Sequence, residues 1–421
     1  MARGDRAALS GGDRAAVAAV WRIESARIVG ALARYTGDFG LAEDLAQEAF
    51  AEALVTWPRE GVPDNPGAWL LTVGKRRAVD TFRRRANLDT KYAVLANDLD
   101  ARDADDVLWD PDQIDDDVLA LMFTSCHPVL SREARVALTL RVVGGLTSDE
   151  IAKAFLVPTA TVQARITRAK KALGAAGVPF AVPTGPERAE RLGSVLSAVY
   201  LIFTEGSSPT SGGAVIRFDV AGEALRLARV LARLMPDEPE VIGLLALLEL
   251  TAARFPARTG PDGEPVLLED QDRGRWDVAA IRRGRAALAA AEKIGRGLGA
   301  YGLQAAIAEC HAVAASVGDT DWGRVVLLYE ALGGLAPSPV VDLNRAVAVA
   351  MAEGPAAALS IVDGLAGGAL ANSHLLPAVR GELLARMGRV DEARAEFDAA
   401  IALCDNERER AVLARKRDGL G

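Results

Sequence analysis

Residues Gly144 to Leu173, GGLTSDEIAKAFLVPTATVQARITRAKKAL, decide how the N-terminal part of this chain is read. They read as two short helices joined by a tight turn, the arrangement that commonly places a helix in the major groove of DNA. Thr147 and Glu150 form a T-x-x-E pair in which each side chain can satisfy an orphan backbone amide, so the first helix is expected to start at Ser148. Ile151, Ala152 and Phe155 share one side of it, and Leu156, Val157 and Pro158 leave room only for a turn. In the second helix Val162, Ile166, Ala169 and Leu173 recur at four, three and four residues, which makes one buried stripe. The outward set is Gln163, Arg165, Thr167, Arg168, Lys170 and Lys171: amide and hydroxyl groups suited to base edges beside cations suited to phosphates. A basic face alone is as often plain solvated surface; cap, turn length and polarity together favour DNA.

Working outward, 421 residues are too many for one ordinary core and imply two to four domains. Half of the residues are hydrophobic, alanine and leucine dominate, and aromatics are few, a composition for packed helices; the fold class is all-α. A net charge of -8 excludes nucleic-acid binding over the whole surface and confines it to local basic patches. The N-terminus lacks the apolar core of a signal peptide and no run is long enough to cross a bilayer, so a cytoplasmic location is expected. Cys126, Cys310 and Cys404 are odd in number and far apart, and with His127, His311 and His374 they show no zinc-ligand spacing. Neither a metal nor a cofactor is expected; the two Cys-His dipeptides read as buried thiols beside partly exposed imidazoles.

Upstream, three or four helices are expected between Ala15 and Ala86. One spans Glu24 to Tyr35, a break falls at Thr36-Gly37-Asp38, and the next runs from about Leu41 to Trp57, burying Leu45, Ala49 and Leu54. That helix carries Glu43, Asp44, Gln47, Glu48 and Glu52 on an acidic surface. After a Pro/Gly loop a further helix starts near Ala68, with Trp69, Leu70 and Val73 followed by Lys75, Arg76, Arg77, Arg83, Arg84 and Arg85 against Asp80 alone. So dense a charge is a phosphate-binding surface, and Trp69 is either core or a stacking platform for an unpaired base. Asn87 to Asp117 is dominated by aspartate and reads as a flexible acidic linker between two basic helices.

The order LAEDLAQEAF (Leu41–Phe50), PGAWLLTVGKRRAVDTFRRR (Pro66–Arg85), an acidic linker and the LSREARVAL segment running from Leu130 into the two-helix stretch resembles a bacterial extracytoplasmic-function sigma factor with its regions two and four. The resemblance covers Val17 to Leu173. It implies core RNA polymerase and promoter DNA as partners, with Asp44, Gln47 and Glu48 docking on polymerase. It implies that Trp69, Lys75, Arg76, Arg77, Arg83 and Arg84 serve the minus-ten element. Thr161, Gln163, Ala164, Arg165, Thr167, Arg168, Lys170 and Lys171 would then serve the minus-thirty-five element, with Gln163, Ala164 and Thr167 facing bases and Arg165 and Arg168 near phosphates. Gly74-Lys75-Arg76 stands where many members carry an A-R-N-type triplet, and arginine can stack on a base but lacks an amide's paired donor and acceptor.

The chain continues far beyond region four and resembles the C-terminal extension of one subgroup, with YLIFTEGSSPTSGG (Tyr200–Gly213) and PVLLEDQDRGRWD (Pro265–Asp277) as its marks. Gly381, Leu384, Gly388, Ala393, Phe397 and Ala400 fit a tetratricopeptide-like register, and Ala346, Val349, Ala358 and Val362 fit it one repeat earlier. Such hairpin stacks bind a peptide or protein partner; the alternative is a set of plain alanine-rich helix pairs. The expected domains are 10–86 (region two), 87–117 (acidic linker), 118–175 (region four), 176–186 (Gly/Pro linker), 187–297 (helical extension) and 298–421 (repeats). Gly297 to Gly302 matches G-x-G-x-x-G but follows a helix, so it is no dinucleotide site. The acids and arginines from Glu269 to Asp277 read as a salt-bridged loop, and no nucleophile sits in a recognisable elbow, so no enzyme is expected. The reading is a sigma factor that directs promoter recognition and transcription initiation, its tail modulating activity or binding a partner. The rival is a DNA-binding regulator that acts without core polymerase.

Overall fold

The computed structural model describes residues 11–86, 111–155, 157–207, 217–260, 264–404 and 406–420. Among them there is no strand beyond one isolated bridge between Thr259 and Pro265, and the chain divides into two compact units, Met1–Leu201 and Ile202–Gly421. The division falls later than the expected boundary at 187 because the helix Gly185–Ser207 begins within the first unit. There Arg191 donates to the Phe123 carbonyl and Ser194 accepts from Arg135.

In the first unit α1 (Gly11–Thr36), α2 (Phe39–Glu60) and α3 (Pro66–Ala86) pack on one another. The α1–α2 break arises because Thr36 turns its hydroxyl back to the Leu32 carbonyl, Gly37 takes φ +67°, and Asp38 caps α2 at the Leu41 amide. α3 crosses α1 closely, since a Cβ on Gly74 would lie 2.7 Å from Leu32 Cδ1. α4 (Pro111–Ser125) packs on α1. The acidic linker therefore ends earlier than expected: residues 87–110 lie outside the described residues, whereas Asp117 is a buried helical residue held by Arg34 at 3.0 Å. Aspartate density misled here, because one carboxylate paired with an arginine can be folded into a helix.

α5 (Arg132–Val142), α6 (Ser148–Phe155) and α7 (Thr159–Ala175) form a three-helix group, and α8 (Gly185–Ser207) follows. Thr147 and Glu150 cap α6 reciprocally, at 2.8 and 3.2 Å. Leu156 lies outside the described residues, and Val162, Ile166, Ala169 and Leu173 are buried. Glu43 of α2, placed on the sequence as surface, is 3 % exposed. It accepts from Arg141 of α5 at 3.0 Å and from Lys170 of α7 at 2.9 Å, and Lys170 also reaches Asp44 at 2.5 Å. Arg22 of α1 meets Glu150 beyond it.

The second unit contains α9 (Phe218–Leu234), α10 (Pro239–Ala252), α11 (Val278–Lys293) and α12 (Ala300–Val313). After these come α13 (Trp322–Leu335), α14 (Pro339–Ala352), α15 (Pro355–Asp363), α16 (Leu375–Arg386), α17 (Val390–Leu403) and α18 (Glu407–Asp418). Gly243 lets α10 meet α12 at Gly302, the last glycine of the rejected fingerprint: a Cβ on Gly243 would stand 2.7 Å from the Gly302 amide nitrogen. Likewise a Cβ on Gly381 would meet Ala393 and Phe397 at 3.3 Å, the close crossing of α16 and α17 that the repeat register anticipates. Ala346, Val349, Ala358 and Val362 are buried in the same helical stack. Buried Glu249 joins α9, α10 and α11 through Arg229 and Arg283.

The Glu269–Asp277 segment is not a salt-bridged loop. Asp272 and Asp277 cap the backbone at Gly274 and at Ala279 and Ala280, and Arg273 donates to the carbonyls of His311 and Ala314 at 2.6 and 2.8 Å. The marked loop beyond Ser207, 208–216, lies outside the described residues.

Two stability tests follow from this packing. Glu43→Ala leaves two largely buried cations short of a counter-charge and should cost about 3 kcal/mol in denaturant unfolding of the first unit. A loss below about 0.5 kcal/mol would show that the junction contributes no more than a surface pair. His311, edge-on to Trp322 at 5.2 Å, is pushed down to about 4, by burial first and then by the nearby charges of Arg254 and Arg273. The unfolded chain then takes up this proton first, so the stability is present above the ordinary histidine pKa and is lost as pH falls toward 4. From pH 8 to pH 5 the loss should be about 2 kcal/mol, and His311→Phe should remove most of it.

Candidate nucleic-acid interface

Two surfaces carry the residues expected to touch DNA. On α7 the buried stripe turns Gln163, Ala164, Thr167, Arg168 and Lys171 outward, while Thr161 and Arg165 are half-buried. The helix is set by its turn: the Val157 amide donates to the Ala152 carbonyl at 3.1 Å, and the Thr159 hydroxyl donates to Asp149 at 2.8 Å. Arg168 folds its Nε back on the Ala164 carbonyl at 3.2 Å, so its guanidinium lies along the helix. A shallow hollow of about 400 Å³ opens beside it, bordered by Ser131, Glu133, Arg165 and Arg168. The mix of exposed amide, hydroxyl and guanidinium groups can read base edges and hold phosphates from one rigid helix.

Lys170 departs from this set. Its ammonium is turned to Glu43 and Asp44, and although burial opposes its charge, those two carboxylates raise its pKa. The helix wheel that places Lys170 outward is correct for α7 alone; the acid it meets belongs to another helix.

On α3, Arg76, Arg83 and Arg84 are exposed. Lys75 lies over the Tyr35 ring at 5.3 Å, and Trp69 packs edge-on to Trp57 at 5.4 Å. Arg77 is no free phosphate ligand: it is held by Glu52 at 2.6 Å and Glu48 at 2.9 Å, and the Glu52 hydrogen bond raises its pKa most. Spacing along α3 could not reveal that α2 offers two carboxylates opposite. The Arg85 side chain lies outside what is described.

The acidic face of α2 is thus largely engaged within the unit. Asp44 pairs with Lys170, Glu48 with Arg77, and Gln47 is half-buried between them in sequence. Sequence reasoning missed Glu43 as the centre of the junction. A signal was present, since Ala42, Ala46, Ala49 and Ala53 make a small-residue face that admits close helices, and Glu43 adjoins it.

Cys126, Cys310 and Cys404 are buried thiols outside any disulfide, and burial raises the thiol pKa of the first two. His374, Cys404 and Glu409 bring their ligand atoms within 4.8 Å of one another, a trio that no sequence spacing shows because it comes from the N-cap of α16, the C-cap of α17 and the first turn of α18. Among the described residues no helix is long and apolar enough to cross a membrane.

Residues 22–87 match sigma-70 region 2, residues 120–173 match sigma-70 region 4, and residues 191–292 match a family of unknown function, DUF6596. An uncharacterized protein of Rhizobium meliloti (strain 1021) is 45% identical over 399 residues, 93% of each chain. The ECF RNA polymerase sigma factor SigK of Mycobacterium ulcerans (strain Agy99) is 29% identical over 166 residues, 38% of this chain and 86% of that protein. The RNA polymerase sigma-H factor of Pseudomonas aeruginosa is 29% identical over 159 residues, 37% of this chain and 82% of that one. No solved structure matches the chain. With both sigma-70 regions present in order on helices of the matching kind, the chain belongs to the extracytoplasmic-function sigma factors of RNA polymerase, in a form that carries a long helical C-terminal extension.

Proposed function

We propose that this sigma factor reads the minus-thirty-five element with α7 and the minus-ten element with α3, and that its α2–α7 junction opens when polymerase binds. Gln163, Ala164 and Thr167 face bases; Thr161, Arg165, Arg168 and Lys171 hold the backbone, joined by Lys170 once released. Lys75, Arg76, Arg83 and Arg84 serve the minus-ten element, with Trp69 beside them and Arg77 freed only if Glu48 and Glu52 turn to another partner. Asp44, Gln47 and Glu48 grip core polymerase. The protein acts in the cytoplasm, performs no catalysis of its own, and uses its repeats to bind a protein or peptide partner.

The observation that carries this reading is the shared ion cluster of Glu43, Asp44, Arg141 and Lys170, which joins the polymerase-facing helix to the promoter-facing one. Two promoter elements about 25 base pairs apart are separated by about 85 Å at 3.4 Å per pair. A compact unit of some 200 residues has a radius of gyration of about 16 Å, so the closed unit cannot span both. Opening therefore also takes α4, with Asp117, off α1 and its Arg34.

Run-off transcription with purified core polymerase and a mapped promoter tests the assignment. Arg165→Ala with Arg168→Ala should lower promoter affinity about tenfold or more and reduce the salt slope by about two. Asp44→Arg should weaken polymerase association strongly without weakening the binding of the isolated chain to DNA. Full transcription by both variants would contradict the assignment, and DNA binding without any polymerase association would favour a regulator that acts alone.

A further inference from the structure

The second unit holds an open cavity of about 650 Å³ between the marked Pro265–Asp277 loop and the helices α14, α16, α17 and α18. That volume falls in the range of small-molecule sites. Its wall is largely apolar, with Val266, Leu267, Val347, Leu375, Val379 and Leu413. Val347 and Leu375 are 38 % and 41 % exposed although they face a concavity, which is apolar surface left for something to cover.

The charges on the lining are unbalanced. Four permanent cations, Arg254, Arg258, Arg386 and Lys416, face two carboxylates, Glu382 and Glu409. Lys416 takes Glu382 at 2.7 Å, and Glu409 lies 3.4 Å from His374 and near Arg258. Arg254 has no carboxylate partner among the described residues. Its Nε donates to Gln271 at 3.3 Å, Gln271 is itself fixed by the Val266 carbonyl, and the guanidinium lies 5.5 Å from the Trp276 ring. Partial burial lowers its pKa to about 10, and neighbouring Arg258 and Arg273 push the same way, so among the described residues no neighbouring carboxylate offsets the charge of this half-buried cation. Trp276 offsets part of that cost and also receives Arg273 at 4.5 Å. Arg386, exposed at the rim, meets the Met351 sulfur and the Ala350 carbonyl and, among the described residues, no carboxylate.

We propose that this cavity binds a small amphipathic carboxylate, its acid group taken by Arg254 and Arg258 and its apolar body laid along Leu267, Leu375, Val379 and Leu413. A guanidinium fork matches a carboxylate in plane, and the loop that builds the floor is the stretch singled out on the sequence for its alternating acids and arginines. The site lies wholly in the extension, and its occupation is measured without polymerase, so it stands or falls separately from the promoter reading.

Isothermal titration of the full chain with octanoate, octan-1-ol and octylammonium tests this. Octanoate should bind at one saturable site, more weakly as salt is raised, and the equally long alcohol and amine should bind at least about tenfold more weakly. Arg254→Gln should weaken octanoate about tenfold or more. Because Arg254 also ties Gln271 to the fold, Arg386→Gln at the exposed rim serves as a second variant: it removes one of the four lining cations that attract the acid group at a distance and should weaken octanoate about twofold to threefold with an unchanged circular dichroism melt. Equal binding of octanoate and octan-1-ol, no octanoate binding at all, or unchanged octanoate binding by Arg386→Gln and any folded Arg254→Gln would overturn the proposal.

Discussion

A single buried carboxylate, Glu43, governs how the N-terminal unit is assembled. An ion with 3 % exposure is tolerated only where opposite charge and hydrogen bonds replace water, and here Arg141 and Lys170 do so from two different helices. The consequence is positional. α5 and α7 are referenced to α2 through one side chain, so the helix that presents Gln163, Thr167 and Arg168 cannot turn relative to α2 while that cluster is intact. Asp44, 63 % exposed on its side chain, adds a weaker and screenable contact to the same lysine. Charge, more than apolar area, links the two modules at this point, and charge is what both DNA and polymerase can compete for.

Elsewhere the molecule is held by close helix crossings. Gly74 against Leu32, Gly243 against Gly302 and Gly381 against Phe397 are places where a single added methyl group would meet another chain segment. In the first unit this brings α3 near α1 and exposes Arg76, Arg83 and Arg84 on its far side. In the second it brings the Pro265–Asp277 loop and α16 to α18 around one cavity, lined by the half-buried Arg254, Arg258 and Lys416 and the exposed Arg386. The extension is thus a folded body with an apolar, cation-lined cavity of its own.

What the sequence shows well are features set within one helix or one turn. The Thr147–Glu150 cap, the stripe Val162, Ile166, Ala169 and Leu173, the break at Gly37 and the small position Gly381 are local or periodic, and the structure contains each of them. The departures share one cause. Lys170, Arg77 and Asp117 all look solvent-facing on their own helix, and each meets an opposite charge from a helix remote in sequence. Glu43 was hidden for the same reason, and so was the cavity, whose lining comes from Arg254 to Lys416. The aspartate-rich run also concealed the start of α4, because composition does not distinguish a solvated acid from a paired one.

The central claim is that the α2–α7 junction closes in the isolated chain and opens on the promoter. The most direct measurement is the distance between spin labels at Ala51→Cys on α2 and Ala175→Cys at the end of α7, both exposed and outside the assigned contacts, with native Cys126, Cys310 and Cys404 buried. One short distance is expected for the chain alone, lengthening by on the order of tens of ångströms once core polymerase and promoter DNA are added. An unchanged distance in the transcribing complex would contradict the account.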